Sequence, residues 1–315
     1  MFRTTCLTRN FLSILDLDPG ELEAVLALAA RLKQERGLGW QAPTSRALAG
    51  QHVALLFEKP SLRTRCTFEI GIHELGGEYL HVPHEVALRD REKLSDVAQN
   101  LELWVSAIVI RTFAQQRLAA FAAAAPRLRV INALTNEQHP CQALGDWLTL
   151  VERWGSAKDR TIAFVGDGNN VARSLMEAGA LLGATVHLGC PDGYHLPERV
   201  LEQARAATSP RAEIRTFIDP AEAVRGADVV YTDTWTSMGF EAEAEERRQT
   251  FAPYQVNARL MSLARPEALF MHCLPAHRGE EVTDEVIDSS ASAVLDQSEN
   301  RLHTQKAILL TLMGG

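Results

Sequence analysis

Short apolar runs that alternate with helix-forming segments constrain the fold of this chain more than any other feature of its sequence. The runs HVALLF (52–57) and TIAFVGD (161–167) are nearly continuous, which is typical of parallel strands covered on both faces. A helix-forming segment follows each run, and the same strand-helix order recurs along the chain. The alternation predicts an α/β protein with two doubly wound parallel-sheet domains joined by helices.

Two series of strands divide the chain. The predicted strands of the first series lie at 52–57, 79–82, 107–110 and 129–133, and those of the second at 161–167, 185–189, 214–217 and 228–233. A helix within 139–155 links the series, as predicted from apolar residues at i, i+3, i+4 and i+7, namely Leu144, Trp147, Leu148 and Val151. We expect one domain at 1–140 and a second at 141–299. A C-terminal segment at about 300–315, helical from about Thr304, is expected to pack back on the first domain.

The amino-acid composition limits the kinds of molecule that this protein is expected to bind. Lys plus Arg number 32 against 40 Asp plus Glu, and the resulting net charge of -8 repels nucleic acids. No apolar run approaches the roughly 18 residues of a membrane span, so no membrane partner is expected. The five cysteines are odd in number and lack repeated C-x-x-C spacing, which predicts reduced thiols in a cytoplasmic protein. Small-molecule substrates are therefore favoured.

The segment FEKPSLRTR (57–65) carries the strongest chemical signal. It places Ser61, Arg63 and Thr64 where a buried strand turns into a helix, so that backbone N–H groups, hydroxyls and guanidinium groups converge. Charge-assisted hydrogen bonds contribute about 1.5–3 kcal/mol each, against about 0.3–1 kcal/mol for the helix dipole, so arginine would dominate anion binding. A phosphate site is predicted here. The alternative is a basic helix start that pairs with surface acids.

Weaker signals in the first domain come from three other residues. Arg111 follows the strand AIVI, at the strand end where open α/β sheets bind their ligands, although an isolated arginine is more often a surface residue. His139 and Gln142 flank the start of the linking helix, which Pro140 preorganises. An imidazole at this place can polarise a carbonyl oxygen, or it can simply cap the helix.

In the second domain, GDGNNVARS (166–174) superficially resembles a dinucleotide loop. It has Val171 in the place of the third glycine, and no clear acidic residue ends the next strand, so a nucleotide site is disfavoured. Asn169 and Asn170 instead offer amides to a polar ligand, or form a turn. Asp233 follows a strand and precedes a small flexible turn, where a carboxylate can bind an amine or belong to a solvated loop.

The segment HCLPAHRGEE (272–281) invites a metal hypothesis together with His139 and Cys141. Its H-C spacing and the H-x-C spacing at 139–141 are not those of structural zinc sites, so we predict no metal. Cys273 with a histidine partner is an alternative nucleophile, although the sequence lacks an obvious third group to orient the pair.

In order and spacing, the motifs resemble those of the aspartate/ornithine carbamoyltransferase family over nearly the whole chain. The motifs are S-x-R-T-R (61–65), the arginine at 111, HPCQ (139–142), D-x-W-x-S-M-G (233–239) and HCLP (272–275). The aspartate branch carries HPTQ and HPLP where this chain has HPCQ and HCLP, so the resemblance is to the ornithine branch.

The resemblance implies transfer of the carbamoyl group of carbamoyl phosphate to the δ-amine of L-ornithine, giving L-citrulline and phosphate in arginine biosynthesis. It implies no cofactor, an active site in the interdomain cleft, and a homotrimer or a multiple of trimers. The implied catalytic residues are Arg111, His139, Asp233 and Cys273. Carbamoyl phosphate would be bound by Ser61, Leu62, Arg63, Thr64, Arg111, His139, Gln142, Cys273, Leu274 and Arg301. Ornithine would be bound by Asn170, Asp233, Ser237 and Met238.

Two positions depart from the family pattern. The segment ALRDRE (87–92) has Ala87 where relatives usually carry a glutamine that helps to bind carbamoyl phosphate, and Leu62 replaces the more usual threonine. These departures keep two alternatives open: another amine acceptor such as putrescine, lysine or an acylated ornithine, and a non-catalytic relative that binds a phosphate ligand. A third alternative, a nicotinamide dehydrogenase, depends only on the incomplete glycine loop at 166–174.

Overall fold

The computed structural model describes residues 10–87, 92–207, 212–236 and 241–314. The chain divides into two compact units, the first formed by Met1–Leu148 with Glu299–Gly315 and the second by Thr149–Ser298. The chain enters the second unit within the helix Pro140–Trp154 and leaves it within the helix Val294–Met313. No helix in the described ranges has the length and apolar character needed to cross a membrane.

The first unit is built on a parallel sheet with the strand order β2-β1-β3-β4. Its strands are β1 (His52–Phe57), β2 (Glu78–Val82), β3 (Ala107–Arg111) and β4 (Arg129–Leu134). Strands β1 and β3 are adjacent although β2 lies between them in sequence, so the connections diverge at this point of the sheet. Phe57 pairs with Arg111 in the register, which aligns the carboxyl ends of β1 and β3.

The helices of the first unit are α1 (Pro19–Glu35), α2 (Arg63–Glu74), α3 (His84–Ala87), α4 (Leu94–Trp104), α5 (Gln115–Ala124) and the start of α6 (Pro140–Trp154). Helix α1 begins where the sequence favours it. Asp18 and Glu21 exchange side-chain and backbone hydrogen bonds as a capping box, and Pro19 occupies the first helical position. The apolar stripe of α1, from Leu22 to Leu32, is buried.

The second unit is built on another parallel sheet, with the strand order β7-β6-β5-β8-β9. Its strands are β5 (Thr161–Val165), β6 (Thr185–Gly189), β7 (Ile214–Phe217), β8 (Val229–Thr232) and β9 (Leu269–His272). The connections diverge between β5 and β8. Val165 pairs with Thr232, and Thr232 pairs with His272, so the carboxyl ends of β5, β8 and β9 are aligned. The two parallel-sheet units confirm the predicted fold class.

The helices of the second unit are α7 (Asn170–Leu182), α8 (Glu198–Ala206), α9 (Pro220–Val224), α10 (Ala244–Phe251), α11 (Ala258–Met261) and α12 (Asp284–Ile287), and α13 (Val294–Met313) returns the chain to the first unit. Helix α13 begins at Val294, well before the expected start near Thr304. Its first turns carry buried polar side chains, including Gln297 and Asn300, which interrupt the apolar periodicity that marks a helix in sequence.

Glycine 76 joins α2 to β2 in a conformation that an alanine cannot adopt without strain. Its φ is +79°, and a Cβ at this position would lie 2.6 Å from the backbone oxygen of Ser45. We expect Gly76→Ala to lower the free energy of unfolding by about 2–4 kcal/mol, because left-handed strain and the backbone clash add. Urea unfolding followed by circular dichroism measures the change.

Gly37→Ala is the matched control, because a Cβ at position 37 meets no atom within 4 Å. This variant should unfold at the wild-type urea concentration or slightly above it. Equal stability of the two variants would contradict the role assigned to Gly76.

Candidate active site

The first cluster of functional side chains lies at the carboxyl ends of β1 and β3. The chain leaves β1 after Phe57 and enters α2 at Arg63, while Arg111 ends β3 beside it. Arg111 is buried, and its Nη1 donates to the Ser61 hydroxyl at 3.5 Å. The strand register therefore brings two of the predicted phosphate ligands together, although they are far apart in sequence.

A buried arginine of α13 joins the same cluster. Arg301 is 3% exposed, and its Nη2 donates to the Thr64 hydroxyl at 2.7 Å. Its Nη1 donates to Oε1 of Gln142 on α6. A Cβ at position 145 would lie 3.1 Å from Cδ of Arg301, so the glycine there leaves room for the arginine side chain. Helices α2, α6 and α13 thus meet through the predicted site residues.

The orientation of Gln142 depends on a buried carboxylate that the sequence analysis did not single out. Asp146 is fully buried one helical turn after Gln142 and accepts a hydrogen bond from its Nε2 at 2.8 Å. Because the amide nitrogen is engaged by Asp146, the amide oxygen is directed at Arg301. The i, i+4 spacing of Gln142 and Asp146 is visible in sequence, but Arg301, which donates to Gln142, is 159 positions away from it.

His139 is buried among these cations and is uncharged at neutral pH. Burial is the main cause that lowers the pKa of its imidazole well below the usual value, and the positive charges of Arg301 and Arg111 lower it further. A neutral imidazole can donate one hydrogen bond without adding charge to the site.

Arg63 occupies the first turn of α2. Its side chain is half-buried, and within the described ranges it has no hydrogen-bond or ion-pair partner. A cation in the first turn opposes the helix dipole, so this guanidinium is better accommodated beside an anion. The neighbouring Leu62 side chain is 74% exposed, which leaves its backbone N–H as the group that can contact a ligand.

The second cluster lies at the carboxyl ends of β5, β8 and β9. Asp233 is 8% exposed, and Oδ2 of its carboxylate accepts from Nδ2 of Asn169 at 2.8 Å. Its Oδ1 accepts from the Cys273 thiol at 2.9 Å and from the Thr234 backbone N–H at 2.8 Å. The carboxylate is therefore held by donors from three strand ends.

Of the two asparagines singled out in the sequence, Asn169 is the one that contacts Asp233. Asn169 is the N-cap of α7, and its Oδ1 accepts from the backbone N–H groups of Val171 and Ala172. This capping fixes the amide so that Nδ2 faces Asp233. Asn170 is the first residue of α7. The sequence pattern after GDG predicted a polar site at this asparagine pair, but it did not predict which of the two side chains would face the Asp233 carboxylate.

The loop that carries Cys273 is fixed by a buried histidine. His272 is fully buried, and its Nδ1 accepts from the Leu274 backbone N–H at 2.9 Å while its Nε2 lies 3.2 Å from Oε1 of Glu281. The Leu274 bond leaves the proton on Nε2, so the imidazole donates to the carboxylate. Leu274 adopts a positive φ of 58°. Asp233, His272 and Cys273 have ligand atoms within 4.8 Å of one another, but both imidazole nitrogens of His272 are engaged within the chain.

The cysteines differ in their environments. Cys66, Cys141, Cys190 and Cys273, which are those that the structure describes, form no disulfides. Burial raises the pKa of the Cys141 thiol to about 12 and opposes ionisation, even though the positive charge of Arg301 acts in the other direction. Cys141 is therefore a packing residue rather than a nucleophile or a thiolate ligand.

Some predicted residues lie elsewhere or beyond the described ranges. Ser237 and Met238 lie outside the described residues. So do positions 88–91 of the segment ALRDRE (87–92), which departs from the family pattern. Ala87 is described and is 5% exposed in the hydrophobic core of the first unit, where it packs with Leu56 and Val97. Cys273 and Leu274 belong to the second unit.

Matches to two family models identify the family of this chain. The chain matches the family model for the aspartate/ornithine carbamoyltransferase carbamoyl-P binding domain over residues 9–152 and that for the Asp/Orn binding domain over residues 158–312. It therefore belongs to the aspartate/ornithine carbamoyltransferase family, which confirms the resemblance found in the sequence.

Several similar proteins within the family are named ornithine carbamoyltransferase. The ornithine carbamoyltransferase of Symbiobacterium thermophilum is 47% identical over 312 residues, covering 98% of this chain and 99% of that protein. The protein named ornithine carbamoyltransferase, anabolic, of Pyrococcus furiosus is 46% identical over 98% of this chain and 97% of its own length. A solved structure of the Pyrococcus furiosus enzyme superposes with a TM-score of 0.93 at 45% identity, covering 98% of each chain.

Proposed function

We propose that this chain is an enzyme of arginine biosynthesis that transfers the carbamoyl group of carbamoyl phosphate to the δ-amine of L-ornithine, giving L-citrulline and phosphate. The observation that carries the proposal is the cluster in which buried Arg111 and Arg301 contact Ser61 and Thr64 at the ends of β1 and α2. A doubly charged phosphate is the kind of ligand that such converging guanidinium and hydroxyl groups bind. The carboxylate cluster around Asp233 supplies the complementary site for an amine.

In the proposed first half-site, carbamoyl phosphate is bound by the arginines and their neighbours. Arg63 and the N-terminal amides of α2 would bind phosphate oxygens, and Arg301 would add a second charge-assisted contact. Neutral His139 would donate to the carbamoyl oxygen beside Arg111, where negative charge develops during the reaction. The complete proposed set is Ser61, Leu62, Arg63, Thr64, Arg111, His139, Gln142, Cys273, Leu274 and Arg301.

In the proposed second half-site, the residues that bind ornithine are Asn170, Asp233, Ser237 and Met238. The attacking amine must be uncharged, although a free alkyl amine has a pKa of about 10.4. Asp233 and Cys273, joined by a 2.9 Å hydrogen bond, are placed to hold that amine. Its nitrogen forms a bond to the carbamoyl carbon while the bond from that carbon to the phosphate oxygen breaks, and the proton lost by the nitrogen passes to the departing phosphate. Holding both substrates together supplies much of the acceleration.

A steady-state assay with carbamoyl phosphate and a panel of amines tests the proposal. L-ornithine, putrescine, L-lysine and an Nα-acylated ornithine are compared by kcat/KM, with the carbamoylated products identified by mass spectrometry. We expect citrulline formation and a clear preference for ornithine. Preference for another amine would reassign the acceptor, and no turnover with any amine would leave only a ligand-binding protein.

Arg301→Gln tests the phosphate half-site. The variant loses a buried positive charge and its two charge-assisted hydrogen bonds to Thr64 and Gln142, so the affinity for carbamoyl phosphate should fall by about 2–5 kcal/mol, or roughly 30-fold to 4,000-fold. Isothermal titration with carbamoyl phosphate measures the loss. Arg127→Gln, which removes a 69% exposed guanidinium, should bind with wild-type affinity. Similar affinities of the two variants would contradict the role given to Arg301.

Asp233→Asn tests the amine half-site. The carboxylate accepts from Asn169, Cys273 and Thr234, and the substituted amide would turn an NH2 group towards one of these donors. The KM for ornithine should rise by about 10-fold to 100-fold, while the KM for carbamoyl phosphate stays within about threefold. The exposed Asp192, replaced by asparagine, serves as the control. Equal damage to both KM values would argue against a separate amine site.

We further propose that the chain assembles as a homotrimer, or a multiple of it, in the cytoplasm. The family resemblance supports the assembly, and the described cysteines, which form no disulfides, support a reducing compartment. Light scattering coupled to gel filtration should give three times the chain mass of 34.8 kDa, or a multiple of that value. A monomer or dimer would exclude the trimer.

A further inference from the structure

A buried arginine of α10 connects the loops that carry the amine half-site. Arg247 is 6% exposed, and its Nη1 donates both to Oδ2 of Asp167 and to the backbone oxygen of Trp235, each at 2.9 Å. Its Nε donates to Glu243 of the preceding turn at 3.0 Å. The sequence analysis passed over this residue because it lies in a run of charged residues that reads as a solvated helix face.

The two main partners of Arg247 flank the residues that form the half-site. Asp167 lies two positions before Asn169 in the loop after β5, and Trp235 lies two positions after Asp233 in the loop after β8. One guanidinium nitrogen therefore bridges the two segments whose side chains meet in the 2.8 Å hydrogen bond between Asn169 and Asp233. If Arg247 is replaced, fewer contacts hold the loop after β5 against the loop after β8.

Aromatic packing holds the guanidinium in place. Its central carbon lies 5.1 Å from the ring centroid of Tyr194 and 6.0 Å from that of Phe251. The Trp235 ring in turn stacks on Phe251 with centroids 6.0 Å apart. A planar cation between aromatic rings has few alternative positions, so the bridge is rigid.

The charge of Arg247 also opposes a local excess of negative charge. Burial raises the pKa of the Asp167 carboxyl, and the nearby charges of Asp233 and Glu243 raise it further, while Arg247 lowers it. Without this arginine, Asp167 would be a carboxylate only 15% exposed and next to other acids. Its loop would then relax towards solvent or the carboxyl would take up a proton.

We propose that Arg247 is a positioning residue for the amine acceptor: it fixes the Asp167 loop against the Asp233–Trp235 segment, so that Asn169 and Asp233 present one preformed amine-binding pair. The inference rests on the proposed function, because it assigns to Arg247 a role in ornithine use. Arg247 does not itself touch the substrate in this account.

Kinetics of matched variants test the inference. Arg247→Gln should raise the KM for ornithine by about 10-fold to 100-fold while the KM for carbamoyl phosphate stays within about threefold, since only the amine half-site is disordered. Arg247→Lys keeps the charge and should recover part of the loss. The control is Arg248→Gln on the same helix, where a half-exposed arginine pairs with Glu245 and Glu280, and it should behave as wild type. A parallel rise of both KM values, or none, overturns the inference.

A double variant separates positioning from simple charge neutralisation. In Asp167→Asn/Arg247→Gln, position 167 carries no charge that needs a counterion, but the backbone oxygen of Trp235 still lacks its guanidinium donor. We expect the KM for ornithine to remain raised. Full recovery would show that Arg247 acts only as a counterion and would overturn the bridging role.

Hydrogen exchange gives a readout that needs no turnover. The side chain of Asn169 holds the amides of Val171 and Ala172, and that of Asp233 holds the amide of Thr234. In Arg247→Gln, peptides over 166–172 and 233–236 should exchange faster than in Arg248→Gln, whereas the strand at 185–189 should not change. Unchanged exchange in an active enzyme would refute the inference alone. Faster exchange in a chain that makes no citrulline would refute the proposed function alone.

Discussion

The alignment of strand ends within each parallel sheet is the constraint on which the rest of the structure depends. Pairing of Phe57 with Arg111 in the first sheet, and of Thr232 with both Val165 and His272 in the second, brings distant loops to one edge. Each cluster lies where the connections diverge, between β1 and β3 in one unit and between β5 and β8 in the other. Open α/β sheets leave a crevice at such a point, so the fold itself selects where polar side chains can converge.

The two clusters differ in the charged groups that they bury, and the proposed ligands differ accordingly. Arg301 is buried, with a hydroxyl and an amide oxygen among its hydrogen-bond acceptors. A buried cation is stabilised by an anionic ligand, because the ion pair offsets part of its desolvation penalty. Asp233 is held by an amide, a thiol and a backbone N–H. The proposal of a phosphate ligand at one cluster and an amine ligand at the other follows this difference.

Much of this arrangement could be predicted from the sequence, because it depends on local signals. Apolar runs located strands β1 to β8 but not β9, and turn residues after β1, β5 and β8 located the segments that carry Ser61, the asparagine pair and Asp233. What could not be predicted depends on contacts between distant positions. The start of α13 could not be predicted because its inward side chains are polar. Nor could the sequence distinguish Asn169 from Asn170, because capping bonds that form only in the fold orient the Asn169 amide. The role of Arg247 depends on Asp167, 80 positions away.

The residues missed by the sequence analysis share a physical role: they orient the groups that face the ligand. Asp146 turns the Gln142 amide towards Arg301, and Glu281 accepts from His272, which in turn holds the backbone next to Cys273. Such residues are buried, and their role depends on groups that other parts of the fold bring to them, so a single sequence does not reveal that role. They matter because binding groups held in place before the substrate arrives lose less freedom on binding. Substitution of these outer residues should therefore alter affinity and turnover without removing any group that contacts the substrate.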